Sequence, residues 1–171
     1  MYVAGALTLA LVAAGCGGGG SGGSAGGTES APTAGQEVQG NGFVFRAPED
    51  WTAAVRPTSA TARRDESTLV SVVVLPLLKP YRIALFPQVA KELDRLASTY
   101  AANAKGSVTA RRTVEAGGRK ARQYRIEHGD LVDLITFALR GRRNYQLTCR
   151  WRSADGEPAA CEQLAASFAF R

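Results

Sequence analysis

Val108–Trp151 reads VTARRTVEAGGRKARQYRIEHGDLVDLITFALRGRRNYQLTCRW, and its punctuation decides the fold. From Val108 to Val114, Val108, Ala110 and Val114 alternate with Thr109, Arg111 and Thr113. A period of two marks a strand with one buried face. Gly117-Gly118 supplies a hairpin turn. Arg119 to Glu127 follows as a second strand, with Tyr124 and Ile126 on one side. His128-Gly129-Asp130 turns the chain again. Leu131 to Arg140 places Leu131, Ile135, Phe137 and Leu139 together, with Asp133 as the polar exception, expected at the strand's wet end. Gly141-Arg142-Arg143 makes a third turn. In the last strand Tyr145, Leu147, Cys149 and Trp151 share one face, and Gln146, Thr148, Arg150 and Arg152 the other. Four strands joined by short turns form an antiparallel meander.

Upstream, Phe43-Val44-Phe45 opens a strand that Pro48 ends, and Trp51 begins a segment running to Pro57. Residues 58–67 are polar and charged and read as a loop. Thr68 to Leu75 is β-branched and apolar on both faces, which suits a central strand. Pro76 and Pro80 break the chain after it. A helix follows: Phe86, Val89, Leu93, Leu96, Ala97, Tyr100 and Ala104 recur at spacings of three and four, so they form one stripe. Pro87 suits its first turn, and Lys105-Gly106 its stop. A short helix near Pro158 places Cys161, Leu164, Ala165 and Phe168 inward. The pattern predicts an α+β domain: an antiparallel sheet of six to seven strands with one long and one C-terminal helix packed on it.

The opening Gly42-Phe43-x-Phe45-x-x-Pro48-x-x-Trp51 resembles the first strand and turn of PsbP-like domains. These share a fold with the LpqN-type lipoproteins of actinobacteria and with a nuclear-import factor that binds Ran. Gly117 to Tyr124 is similar to their hairpin into a central strand, and Tyr145 through Cys149 to Ser167-Phe168 to their last strand and closing helix. Asp50 stands where these domains usually carry Gly. The resemblance spans nearly all of residues 42–171. It implies a PsbP-like fold and an accessory, scaffold or binding role, and it carries over no Ran-binding or manganese-related site.

At the other end, Leu11-Val12-Ala13-Ala14-Gly15-Cys16 follows a short apolar run. The run, Val3 to Ala14, is too short for a membrane-crossing helix, which needs about 20 apolar residues. It suits the apolar centre of a signal peptide. With Cys16 after small residues, the stretch resembles a bacterial lipobox. That implies a signal peptide over 1–15, cleavage before Cys16, and a diacylglyceryl thioether with further acylation, such as palmitate, on Cys16. Two or three acyl chains anchor durably where one does not, so the expected location is the outer leaflet, on the extracytoplasmic face. Residues 16–41 are rich in Gly and Ser and read as a flexible tether. Gly17, Gly19 and Gly22 match a dinucleotide fingerprint in spacing only, since no strand precedes them and no helix follows.

Residues 42–171 carry all 21 basic and 13 of the 15 acidic residues, a formal charge of +8. Arg111, Arg125, Arg150 and Arg152 alternate with apolar residues on neighbouring expected strands. They are the candidate anion-binding surface, for anionic lipid, a wall polymer or an acidic envelope protein. Nucleic acid is not an expected partner outside the membrane. Cys149 and Cys161 are expected to form a disulfide in an oxidising compartment. Two thiols and the single histidine fall short of a metal site, and no cofactor is expected. His128 sits in an expected exposed turn, Asp65-Glu66 in a charged loop, and no serine lies in a nucleophile elbow. The expected function is therefore a non-enzymatic binding or assembly accessory held at the membrane. The alternative is a carrier of a lipid-like ligand between sheet and helix, lined by residues such as Phe86, Leu93, Tyr124 and Phe137.

Overall fold

The structure, a computed structural model, describes residues 35–171; Cys16, the expected signal peptide and most of the expected tether lie outside them. Its elements run β1 (Gln36–Gly40), β2 (Phe43–Ala47), β3 (Thr52–Arg56), β4 (Ser59–Arg63), β5 (Leu69–Tyr81), α1 (Phe86–Asn103), β6 (Ser107–Ala116), β7 (Arg119–His128), β8 (Leu131–Arg152), α2 (Ala159–Ser167) and β9 (Ala169–Phe170). The large antiparallel sheet has the order β3-β4-β5-β8-β7-β6, and the small one β1-β2-β9. The described residues are thus α+β, with two α-helices on a mostly meandering sheet.

β8 is one extended run that doubles back at Gly141. Stretched straight, the 17 residues from Asp133 to Arg150 would span about 55 Å. Instead the two side chains meet at 2.6 Å, and Ser153 N donates to Asp130 O at 2.8 Å. Gly141 takes the left-handed φ of 58° that tight hairpins require and glycine adopts without strain. One arm of β8 pairs with β7, from Arg122↔Phe137 to His128↔Leu131. The other pairs with β5, from Leu69↔Arg150 to Pro76↔Arg143. The turn expected at Gly141-Arg142-Arg143 is therefore present inside a continuous extended run.

Three expectations need correction. Residues 36–40, placed in the tether, form β1, which pairs with β2 from Gln36↔Ala47 to Gly40↔Phe43. Val38 is buried in the core, and the Gln36 amide donates to Pro48 O and Trp51 O at 2.8 and 2.6 Å. The expected loop 58–67 contains β4, whose Ala60 and Ala62 are fully buried between exposed or half-buried neighbours. Alanine is too small to announce itself as an apolar run. Finally, β5 does not end at Pro76. β4 pairs only as far as Val73, so beyond it one edge of β5 is open and proline's missing N–H costs no ladder bond. The register shifts between Pro76 and Tyr81 and resumes at Tyr81↔Gly141.

Two apolar clusters lie on opposite faces of the large sheet. The first joins the small sheet and α2 to it, through Phe43, Phe45, Trp51, Val70, Val72, Leu147, Trp151, Leu164 and Phe168. Cys149 and Cys161 form a disulfide within it, tying β8 to α2. The turn into Trp51 closes with Trp51 N on Pro48 O at 3.2 Å. Asp50 keeps a negative φ there, so that turn does not need the glycine usual in the resembled domains. The second cluster lies beneath α1: Leu93, Ala97 and Ala101 against Tyr124, Ile126, Ile135, Phe137 and Leu139.

Candidate functional site

The α1 face of the sheet combines an open apolar groove with two carboxylate clusters. Alternation fixes who faces it. Tyr124, Ile126 and His128 of β7 and Asp133, Ile135, Phe137 and Leu139 of β8 point to one side. Because β8 doubles back at Gly141, the even positions of its second arm, Asn144, Gln146 and Arg150, join that same side.

Asp133 is fully buried. This corrects its expected place at a wet strand end. Its Oδ1 accepts from Arg150 Nε at 2.6 Å, and its Oδ2 accepts from Arg150 Nη2 at 2.8 Å and Tyr100 Oη at 2.9 Å. His128 Nε2 lies 3.0 Å from Oδ2, and against an ionised carboxylate that nitrogen must donate. Burial pushes the Asp133 carboxyl up, but hydrogen bonds and charge from Arg150, with Tyr100 and His128, outweigh it and hold the group below the ordinary carboxylate value. Burial, followed by the Asp133 charge, raises the Tyr100 phenol. His128 is not the solvated turn residue expected: only 13% of its side chain is exposed. A His–Asp pair is half of a nucleophilic triad. Here the carboxylate is saturated by a bidentate arginine and a phenol as well, so it serves to fasten α1 and the β7–β8 turn to the sheet.

Nearer the middle of α1, Asp94 makes the second cluster. Its Oδ1 accepts from Tyr124 Oη at 2.7 Å and Arg122 Nε at 3.0 Å, and its Oδ2 from Arg122 Nη2 at 3.2 Å. Burial again opposes ionisation, and Arg122, Tyr124 and the charge of Arg111 more than offset it, so Asp94 titrates below its usual value. The same contacts raise Tyr124, by burial first and then by Asp94.

Along the N-terminal two-thirds of α1, beside Leu139 and Asn144 of β8, the helix leaves room. Leu77, Leu85, Val89, Leu93, Leu96, Leu139 and Asn144 line a groove of about 830 Å³, rimmed by Gln88, Glu92, Arg95 and Thr99. A separate, smaller cavity of about 190 Å³ shares Leu96 with it and is lined by Tyr100, Ile126, Ile135, Phe137 and Gln146. Leu96, expected inside the helix stripe, is 50% exposed. Asn144 is 7% exposed, and its Oδ1 is buried without a hydrogen-bond partner among the described residues. Of the four expected lining residues, Leu93 lines the groove and Phe137 the inner cavity. Tyr124 is fully buried in the cluster below, and Phe86 lines neither space. Leu77, Leu85 and Asn144 were not anticipated; the signal was the apolar run Leu75-Pro76-Leu77-Leu78, too short and proline-broken to read as a binding wall.

The four arginines of the expected anion surface do not form one stripe. Arg111 lies opposite Tyr124 in the β6–β7 register, hence on the α1 side. Arg150 is committed to Asp133. Arg125 points to the other face, 5.1 Å above the Trp151 ring, and pairs with Glu127 and Glu157. Arg152 lines a depression with Asp65, Glu66 and Asp155. Two of the four thus carry acidic partners, and a third sits among acids. Among the described residues, no group of three or more His, Cys, Asp or Glu side chains is placed to hold a metal ion, and no helix is long and apolar enough to cross a membrane.

This architecture is a PsbP-like fold. The chain is similar to the solution structure of cyanobacterial PsbP (CyanoP) from Synechocystis sp. PCC 6803, with a TM-score of 0.58 and 13% identity over 80% of this chain and 92% of that one. It is also similar to a crystal structure of a protein from Bacteroides thetaiotaomicron VPI-5482, with a TM-score of 0.54 and 15% identity over 80% of this chain. The chain spans about half, 48%, of that protein. Identities this low establish the fold alone. No family model matches the chain, and no curated protein does.

Proposed function

We propose that this chain is a non-enzymatic binding module, held on the extracytoplasmic face of a membrane by a lipid on Cys16, and that it takes a single-chain amphiphile in the α1 groove. The groove carries the reading. Its volume of about 830 Å³ falls within the ~300–1,000 Å³ common for small-molecule sites, which pair apolar walls with a few placed polar groups. Leu85, Val89, Leu93 and Leu96 offer the apolar wall, and Asn144 Oδ1 offers an acceptor to a hydroxyl or amide on the ligand. The lipobox-like Leu11–Cys16 stretch supports the address. The accessory role follows the PsbP-like fold only as an analogy of architecture.

The test is binding of a fluorescent single-chain fatty alcohol by the full chain and by Leu96→Trp, which fills the groove from its half-exposed wall. The expected result is micromolar binding, about −8 kcal/mol, weakened at least about tenfold by the substitution. Absence of binding, or binding indifferent to Leu96→Trp and to Asn144→Leu, overturns the reading.

A further inference from the structure

We infer that the end of the domain built from residues 75–85, the β6–β7 hairpin tip and the β8 turn is a docking face for an anionic bilayer surface, distinct from the lipid on Cys16. The topology gathers these segments. Pro76 pairs with Arg143 and Tyr81 with Gly141, and Arg142 Nη2 donates to Leu78 O at 3.0 Å. The β7–β8 register, extended past Arg122↔Phe137, sets Arg119 beside Arg140. Arg140 lies 5.4 Å over the Phe170 ring, next to the same hairpin tip, where a side chain on Gly117 would strike Phe170.

Lys79, Arg82, Arg119, Lys120, Arg140, Arg142 and Arg143 are all exposed there. Residues 75–85, 116–120 and 139–144 contain no Asp or Glu; Glu115, opposite Lys120 in the hairpin register, and Glu92, on the groove rim, are adjoining carboxylates. Among the described residues none of the seven cations forms a salt bridge, whereas Arg122, Arg125 and Arg150 do. Cations gathered at one end of the sheet without a carboxylate partner cost self-repulsion that an anionic surface relieves. From the centre of this charge protrude Leu78, 95% exposed, and Ile83, 57% exposed. Basic side chains around projecting apolar ones are the composition of an interfacial anchor.

The chain's connectivity permits the orientation. β1 enters at Gln36 and reaches this end at Gly40, where Arg143 Nη1 donates to Asn41 O at 3.4 Å, a run of about 15 Å. The residues between Cys16 and Gln36 span up to about 65 Å when extended. The part of the groove wall made by Leu77 and Leu85 belongs to the same 75–85 segment, although the docking does not depend on the groove being occupied.

The test uses the full chain with Cys16→Ser, which removes the thioether, and vesicles of phosphatidylcholine with or without about one-third phosphatidylglycerol. The expected result is partitioning at least about tenfold stronger onto the anionic vesicles, falling with salt. Arg140→Glu, Arg142→Glu and Arg143→Glu together should lower it about a hundredfold, at about fivefold or more per cation. Lys79→Glu, Arg119→Glu and Lys120→Glu should do the same from neighbouring segments, so a misfolded first variant does not end the test. Leu78→Ser with Ile83→Ser should cost about tenfold. Reversal of Arg63, Arg111 and Arg152, an equal change in net charge elsewhere, should cost under about threefold. Equal losses from that control set, or no preference for anionic vesicles, overturn the proposal. So does binding to soluble polyphosphate that matches vesicle binding and ignores Leu78 and Ile83, which marks a polymer site instead.

Discussion

The two faces of the large sheet are held in opposite ways. On the α2 side, Phe43, Tyr145, Phe168 and Phe170 pack ring against ring, Trp151 is nearly inaccessible, and a disulfide closes the layer. On the α1 side, only Leu93, Ala97 and Ala101 of an 18-residue helix are buried. Asp94 and Asp133 supply what apolar contact does not, fixing the helix at two points while the groove along its N-terminal part stays open. Dry packing makes a face stable and closed. Point-like polar fastening makes a face whose geometry is set while its apolar walls remain available. On the function proposed above, that division puts stability on one side and binding on the other.

The largest way to break this comparison is Trp151→Ala. Loss of a fully packed indole should cost about 4 kcal/mol, read as a lower denaturation midpoint with the α1 groove lost only when the whole domain unfolds. Next is Asp133→Ala, which strands Arg150 and should cost about 3 kcal/mol. If the cluster is a fastener, adding Arg150→Met should recover part of that loss, since a hydrophobic replacement removes the orphaned charge. No recovery would mean that Asp133 does something more than hold Arg150. Cys149→Ser with Cys161→Ser should cost about 3 kcal/mol in the chain-entropy account and leave groove binding intact at temperatures where the domain stays folded.

The pH response separates the faces as well. Asp94 and Asp133 titrate below their ordinary values in the folded chain. The stability they contribute is therefore complete above the unfolded carboxylate range, near pH 4, and is lost as pH falls through their folded values. Urea midpoints measured between pH 7 and 2 should drop in the acid limb, and the drop should shrink in Asp133→Asn. The smallest expected effect on stability is Leu96→Trp, under about 1 kcal/mol because the position is half exposed. Its effect on binding should be far larger than on folding.

The sequence announces the sheet more fully than the site. Alternation from Val108 onward, the glycines at the turns and the spacing of Cys149 and Cys161 all act locally or pairwise, so they are legible in one dimension. β4 escapes because Ala60 and Ala62 are small, and β1 because a single buried valine follows a Gly/Ser tract. Asp133 stood out as a polar residue on an apolar face, yet its meaning lay in partners 17 and 33 positions away. Only the reversal of β8 at Gly141 sets Arg150 on its side of the sheet. For the same reason the four arginines that looked like one stripe separate. Strand alternation fixes faces within a strand, and the pairing register decides which faces coincide.

The groove is tested most directly by following backbone and side-chain amides in nuclear magnetic resonance spectra while a single-chain fatty alcohol is added. The account predicts shifts confined to Leu77, Leu85, Val89, Leu93, Leu96 and the Asn144 carboxamide, with Cys161, Leu164 and Phe168 on the α2 side unmoved. Shifts centred on α2 and the small sheet, or none anywhere at saturating alcohol, would contradict it.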